Sequence, residues 1–315
     1  MNFYFVIIIA TTLIEHGAIA EDKDNGRTMP QKVTSASLRN AIKAGNEDEA
    51  RQLIRDGANI EAVDNEGRTA LHLAAANNMC SVVKALIRDG AEIDPTDKDG
   101  LTPLHMVALN KKIRTDGTKI DRTQHAYDVI TYLIEVGANM EAEDKTKRTA
   151  LHMAAANNAY DVAYKLIVNG ANKYATDVNQ QTPLHLAAIH NAYDIAYNLI
   201  GEIPYEILGA KLDPVDKDGR TPLHLALMND SDNVAKKLIE AGANRNAKDK
   251  EGRTPLQIAA DNKKEHIFSQ MDEKAAKVKA ELKAKNTNDQ AKEKFTLKKL
   301  FEKLWNNKPK HPRKH

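Results

Sequence analysis

The chain has 315 residues, 42% of them hydrophobic and 29% charged, a balance that argues against both a disordered chain and a membrane-embedded one. A formal net charge of +2 supplies no overall attraction to nucleic acid. Cys80 is the single cysteine, which excludes an internal disulfide framework and any zinc site built on several thiolates.

From the N-terminus, Phe3 to Ile14 is a 12-residue apolar run broken only by Thr11 and Thr12. It is too short to span a bilayer as a helix but suits the apolar region of a signal peptide. Ala18-Ile19-Ala20 puts small residues where a signal peptidase reads, so the mature chain would begin at Glu21. The competing reading is a decayed repeat, because Leu13 to Ala18 looks like a repeat end and Asp22 to Thr28 like the next repeat start. Export would make residues 1–20 a cleaved signal and the protein secreted; the decayed repeat would leave it cytoplasmic. Residues 21–34 read as a linker. Leu38, Ala41 and Ile42, followed by Ala50, Leu53 and Ile54, predict two short amphipathic helices over 35–58 that form an N-terminal cap.

Beyond the cap the chain repeats itself. Thr69-Ala70-Leu71-His72 recurs at Thr102 to His105, Thr149 to His152, Thr182 to His185 and Thr221 to His224, and a sixth copy, Thr254 to Gln257, has lost the histidine. The threonines are spaced 33, 47, 33, 39 and 33 apart. Thr suits a helix N-cap, and Pro, present in four copies, suits the first helical position. Apolar pairs four apart, such as Val82-Val83 with Leu86-Ile87, predict a second helix in each unit. Gly90, Gly137, Gly170 and Gly242 stand where a left-handed cap would end it. Segments such as Asp64 to Gly67 and Asp216 to Gly219 predict tight turns between units.

A period of 33 carrying this tetrapeptide resembles the ankyrin-repeat family over residues 35–270. The resemblance implies an all-α solenoid of about seven stacked helix-turn-helix units, caps included, with projecting β-turn fingers and a concave face lined by first helices. It also implies a non-enzymatic scaffold for an unidentified protein partner, and repeat histidines that brace one unit on the next. Lys147 and Gln180 depart from the pattern, standing where the turn normally has Gly, so strain or an altered shape is expected there. An export signal on such an array, with its Lys- and Asn-rich composition, is similar to repeat proteins of intracellular bacteria released toward a host as effectors.

The partner surface is sought along the groove. Residues preceding each Thr are Arg68, Leu101, Arg148, Gln181, Arg220 and Arg253; Arg is favoured at protein interfaces. The alternative is that these arginines only pair with neighbours such as Glu66, Asp218 or Glu251. At the first-helix ends, Leu109, Ile189, Leu227 and Met228, beside His190, are expected to be exposed, and exposed apolar residues tend to mark contacts. Tyr127, Tyr160 and Tyr193, with Tyr164 and Tyr197 one turn on, form a ladder that suits either inter-repeat packing or a partner. His72, His105, His152, His185 and His224 make no metal site, because equivalent residues of packed helices lie roughly 8–10 Å apart and zinc needs ligands at about 2 Å.

Two insertions interrupt the period. One spans 111–124 and is basic; the other, around 202–208, carries Ile203, Tyr205, Ile207 and Leu208. Residues 271–315 read as a charged helical tail. From 292 it is strongly basic, and Leu297, Leu300, Phe301, Leu304 and Trp305 fall on one helical face. Such a segment suits a membrane surface, a partner groove or a cap on the last repeat. Its affinity for nucleic acid would be unspecific. With no phosphate-binding loop, nucleophile elbow or zinc-protease motif, neither a cofactor nor a small-molecule substrate is expected.

Overall fold

The computed structural model describes residues 34–109, 122–201 and 212–285. Fourteen helices in these segments form seven successive pairs. They are α1 (Ser35–Lys43) with α2 (Glu47–Arg55), α3 (Ala70–Ala76) with α4 (Cys80–Arg88), and α5 (Pro103–Leu109) with α6 (Arg122–Glu135). Then come α7 (Ala150–Asn157) with α8 (Tyr160–Val168), α9 (Pro183–Ile189) with α10 (Tyr193–Ile200), α11 (Pro222–Met228) with α12 (Asp232–Glu240), and α13 (Pro255–Asp261) with α14 (Glu265–Lys285). Most are seven to nine residues long, too short to hold in water alone. Their stability comes from stacking. Each first helix packs on the next first helix and each second helix on the next second helix, in chain order. Between the two layers lie buried Leu71, Leu104, Leu151 and Leu223 from first helices, and Val82, Ile130, Leu166, Ile195 and Leu238 from second helices. Burying one such Leu contributes about 1.5–3 kcal/mol.

The repeat histidines tie the units together through both ring nitrogens. In each motif the threonine amide donates to the Nδ1 of the histidine three residues on, at 3.0–3.1 Å. Nε2 then meets a backbone carbonyl of the following unit: Leu101 for His72, Arg148 for His105, Gln181 for His152, Arg220 for His185 and Arg253 for His224, at 2.8–3.1 Å. A carbonyl only accepts, so the proton sits on Nε2 and the ring is neutral. In the sixth copy Gln257 keeps the first of these roles, accepting the Thr254 amide at 2.8 Å; among the described residues no further turn follows for a second ring nitrogen to reach.

The expectation of projecting β-turn fingers is overturned. Among the described residues there is no β-strand. Each inter-unit segment is a tight turn closed on its own aspartate: Asp64 Oδ1 accepts the amides of Glu66 and Arg68 at 2.9 and 3.0 Å. One backbone bond joins each turn to the next, as from Lys98 N–H to the Glu66 carbonyl at 2.9 Å. With the other amides satisfied locally, no strand ladder forms.

Lys147 and Gln180 leave the turn shape unchanged. Both adopt the left-handed conformation, with φ of 60° and 59°, and the Lys147 amide closes on the Asp144 carbonyl at 2.9 Å as Gly67 does on Asp64. The neighbours explain why glycine is the usual choice. A Cβ added at Gly100 would stand 3.1 Å from the Lys145 nitrogen of the next turn.

Candidate partner-binding surface

Of the residues preceding the threonines, all but Gln181 are partly exposed at the base of their turns. Arg68, Arg220 and Arg253 each fold back onto the aspartate four residues earlier. Their guanidinium groups meet Asp64, Asp216 and Asp249 through Nε and Nη2 at 2.9–3.1 Å. Arg220 and Arg253 also pair with Asp218 and Glu251, whereas Arg68 pairs with Asp64 rather than Glu66. Burial works to raise the pKa of Asp64, but hydrogen bonds from the Arg68 side chain and from the amides of Arg68 and Glu66 outweigh it and hold the carboxyl at about 2. Asp216 and Asp249 are likewise lowered, their arginines outweighing desolvation. These arginines are half-buried and still present an edge to solvent.

Arg148 behaves differently. Its Nε lies 3.5 Å from Asp177 of the following unit. Gln181 departs further from expectation: it is 9% exposed, held by its amide on Asp177 Oδ1 at 2.9 Å and by its carbonyl on His152. It therefore offers little to a partner. Leu101 is half-buried, with its carbonyl engaged by His72.

At the first-helix ends the register corrects one assignment. Leu109, Ile189 and Met228 occupy equivalent last positions; Leu109 and Met228 are 37% and 38% exposed, and Ile189 is half-buried. Leu227, expected among them, is fully buried. It stands one residue earlier, at the place Ala75, Ala108, Ala155 and Ala188 fill, which faces the neighbouring helix layer. One residue beyond the row, Asn77, Asn157 and Asn229 donate to the carbonyl four residues back at 2.8–3.0 Å. His190 is exposed at the equivalent place.

On the second-helix layer, Tyr160 stacks on Tyr164 with centroids 6.0 Å apart, and Tyr193 lies 6.5 Å from Tyr197. Lys165 sits 4.5 Å over Tyr127 and Lys237 4.3 Å over Tyr197, each reaching across to the preceding unit. Exposed contacts of this kind contribute about 0.5–1 kcal/mol. The ladder is visible in the sequence, but the lysines that cross it are not, because their spacing from the tyrosines is not a single-helix period.

Burial drives the pKa of all five bridging histidines below 6.5, against the pull of the carbonyls they face, and that of His185 to about 4. They are neutral at pH 7 and committed to the backbone. Among the described residues no group of His, Cys, Asp and Glu converges on a metal position, and no helix is long and apolar enough to cross a membrane. Burial raises the pKa of the Cys80 thiol. The export segment 1–20, the linker 21–33, nearly all of the insertion 111–124, the insertion 202–208, and the tail residues Leu297, Leu300, Phe301, Leu304 and Trp305 lie outside the described residues.

The model of the family described as "Ankyrin repeats (3 copies)" matches residues 38–115, 122–207 and 201–281. No curated protein matches the chain. Among solved structures, the ankyrin repeat domain of Bcl-3, described as a unique member of the IkappaB protein family, is similar with a TM-score of 0.58 and 23% identity. That match covers 79% of this chain and 100% of the other. The human ASB11 ankyrin repeat domain is similar with a TM-score of 0.60 and 23% identity, over 74% of this chain and 96% of the other. With the stacked helix pairs, the bridging histidines and a family match over most of its length, the chain belongs to the ankyrin-repeat family.

Proposed function

We propose that the array binds a protein partner across the face made by the inter-unit turns and the first-helix ends. As a member of this family the chain is a non-catalytic scaffold for protein–protein contact. The finer reading rests on one observation: Leu109 and Met228 are exposed apolar side chains on equivalent helix ends, with the partly exposed Arg220 on the unit of Met228 and Arg148 on the unit after Leu109. Apolar anchors near guanidinium edges are what protein interfaces favour.

The test uses a partner captured on the intact chain and then purified. Changing Leu109 and Met228 together to Ser should weaken it about tenfold or more, as loss of buried anchors does, while far-UV circular dichroism stays unchanged. Unchanged affinity would move the site elsewhere.

A second reading is association with a membrane surface through the basic amphipathic tail from 292. It rests on the tail's sequence pattern: nine Lys and Arg with an apolar helical face. Deleting 292–315 should then abolish sedimentation with anionic vesicles, and raised salt should mimic the deletion; partner affinity would be untouched if the array alone binds. Export toward a host rests on residues 3–20, and mass spectrometry of protein recovered outside the producing cell should find Glu21 as the first residue. Met1 intact there would refute cleavage.

A further inference from the structure

Three consecutive second helices carry six tyrosines: Tyr127 and Tyr132 on α6, Tyr160 and Tyr164 on α8, Tyr193 and Tyr197 on α10. Three of these rings hold a lysine ammonium from an adjoining unit. Lys84 stands 5.4 Å over Tyr132, Lys165 4.5 Å over Tyr127 and Lys237 4.3 Å over Tyr197. Tyr160, Tyr164 and Tyr193 carry no such cation among the described residues, and they are 39%, 39% and 40% exposed.

One position in the repeat accounts for the difference. Lys165 and Lys237 each stand just before the buried leucine of their helix, Leu166 and Leu238; in α10 the residue before Leu199 is Asn198. Its uncharged side chain turns onto the Asp194 carbonyl of its own helix at 2.9 Å. The rings of α8 are therefore left open to solvent. Tyr160 and Tyr164 lie nearly parallel, at 20°, with centroids 6.0 Å apart. Helices α8 and α10 pack side by side, which sets the equivalent Tyr193 about 8–10 Å from Tyr160. Carboxylates border the rings: Asp161 and Asp194 follow Tyr160 and Tyr193 in the chain. Burial, and then the charges of Glu240 and Asp194, raise the pKa of the Tyr193 hydroxyl, so negative charge faces that ring. Aromatic faces edged by carboxylates attract cations through both the ring quadrupole and the net charge.

We propose that Tyr160, Tyr164 and Tyr193 dock a lysine-bearing basic segment of a protein partner, its ammonium seated on the rings as Lys165 and Lys237 are on Tyr127 and Tyr197. Lysine is specified because every covered tyrosine of this layer holds an ammonium. The surface belongs to the second-helix layer and adds to the one at the turns and first-helix ends, without resting on it.

The probe is capped penta-lysine, titrated to about 10 mM against the full chain, where weak contacts are visible by NMR. The ring protons of Tyr160, Tyr164 and Tyr193 and the amides of Asp161, Lys165 and Asn198 should shift. Penta-lysine acetylated on every side chain should leave them still. Changing Tyr160 and Tyr164 together to Leu should weaken the response about fivefold or more, each exposed ring contact being worth about two- to fivefold. Phe at both positions keeps the ring faces and should hold the response within about twofold, with far-UV circular dichroism unchanged in both variants. Asn198→Lys supplies the ammonium present in the neighbouring helices and should suppress the response. A Leu variant that responds like wild type or like the Phe variant would overturn the proposal. So would an undiminished response in Asn198→Lys, a response to the acetylated peptide, or no shift at these signals. The Leu109 and Met228 changes should leave the peptide response unaltered, so the two surfaces fail separately.

Discussion

The bridging histidines make stability depend on pH, and His185 is the sharpest case. In the folded chain its pKa is about 4, against 6.5 for an ordinary histidine. A base held below its unfolded pKa contributes full stability above 6.5 and loses it as pH falls toward 4, because only the unfolded chain takes up the proton. The difference amounts to about 3 kcal/mol once pH is below both values. His185→Gln removes that titration but keeps an acceptor for the Thr182 amide, as Gln257 does for Thr254. At pH 7.5 the variant should be less stable by about 1–3 kcal/mol, having lost the bond to the Arg220 carbonyl. By pH 4.5 that gap should close, since wild type has given up a comparable amount. Asp64, Asp216 and Asp249, with lowered pKa values, lose their contribution only at lower pH. Asp213, raised by burial against the hydrogen bond from Asn244, works the opposite way, equally in both proteins. Urea midpoints by far-UV circular dichroism at pH 7.5, 6, 5 and 4.5 would track the gap, and midpoint curves that run parallel would refute the histidine linkage.

Leu166→Ala, at a fully buried second-helix position, should cost about 2–5 kcal/mol; a urea-unfolding loss below 1 kcal/mol would mean that the stack there collapses freely. Lys147→Gly should stabilise the array by about 0.5–1 kcal/mol, by removing a left-handed non-glycine residue, and a lower thermal midpoint would show that the lysine side chain holds the turn. Gly100→Ala should cost roughly 2–3 kcal/mol and Gly252→Ala about 1 kcal/mol. Both are left-handed, but only the first would press a methyl against Lys145 N; equal losses in thermal scans would contradict the steric account.

Much of the fold was legible because stacking imposes a period. Leu71, Leu104, Leu151 and Leu223 recur because each must fill the same space between layers, and Thr and His recur because each unit must be joined to the next. What the period does not encode is register at the end of an element. Leu227 and Met228 are adjacent apolar residues, and only counting from Thr221 against four alanines tells which one turns inward. The turns were readable as turns but not as strandless. Asp64 and its equivalents were identified by their Asp-x-x-Gly spacing, whereas the decision between a strand pair and an isolated turn rests on where the remaining amides go.

The arginines differ from copy to copy where the backbone does not. Aspartate opens all six turns, at 64, 97, 144, 177, 216 and 249, while the residue four later is Arg, Leu, Arg, Gln, Arg and Arg. If packing alone chose that residue, the arginines would bear no relation to the buried carboxylates. They do: in each deeply buried copy a guanidinium covers the outer aspartate oxygen. Asp216 and Asp249 take their own arginine on Oδ2, and Asp177, followed by Gln181 instead, is met by Arg148 of the preceding turn at 3.5 Å. Arg148 thus leaves its own, less buried Asp144 for the fully buried carboxylate next to it, as expected where a buried charge costs several kcal/mol unless it is paired. The repeat fixes where the aspartates stand, and the arginines follow the burial of the carboxylates rather than the period.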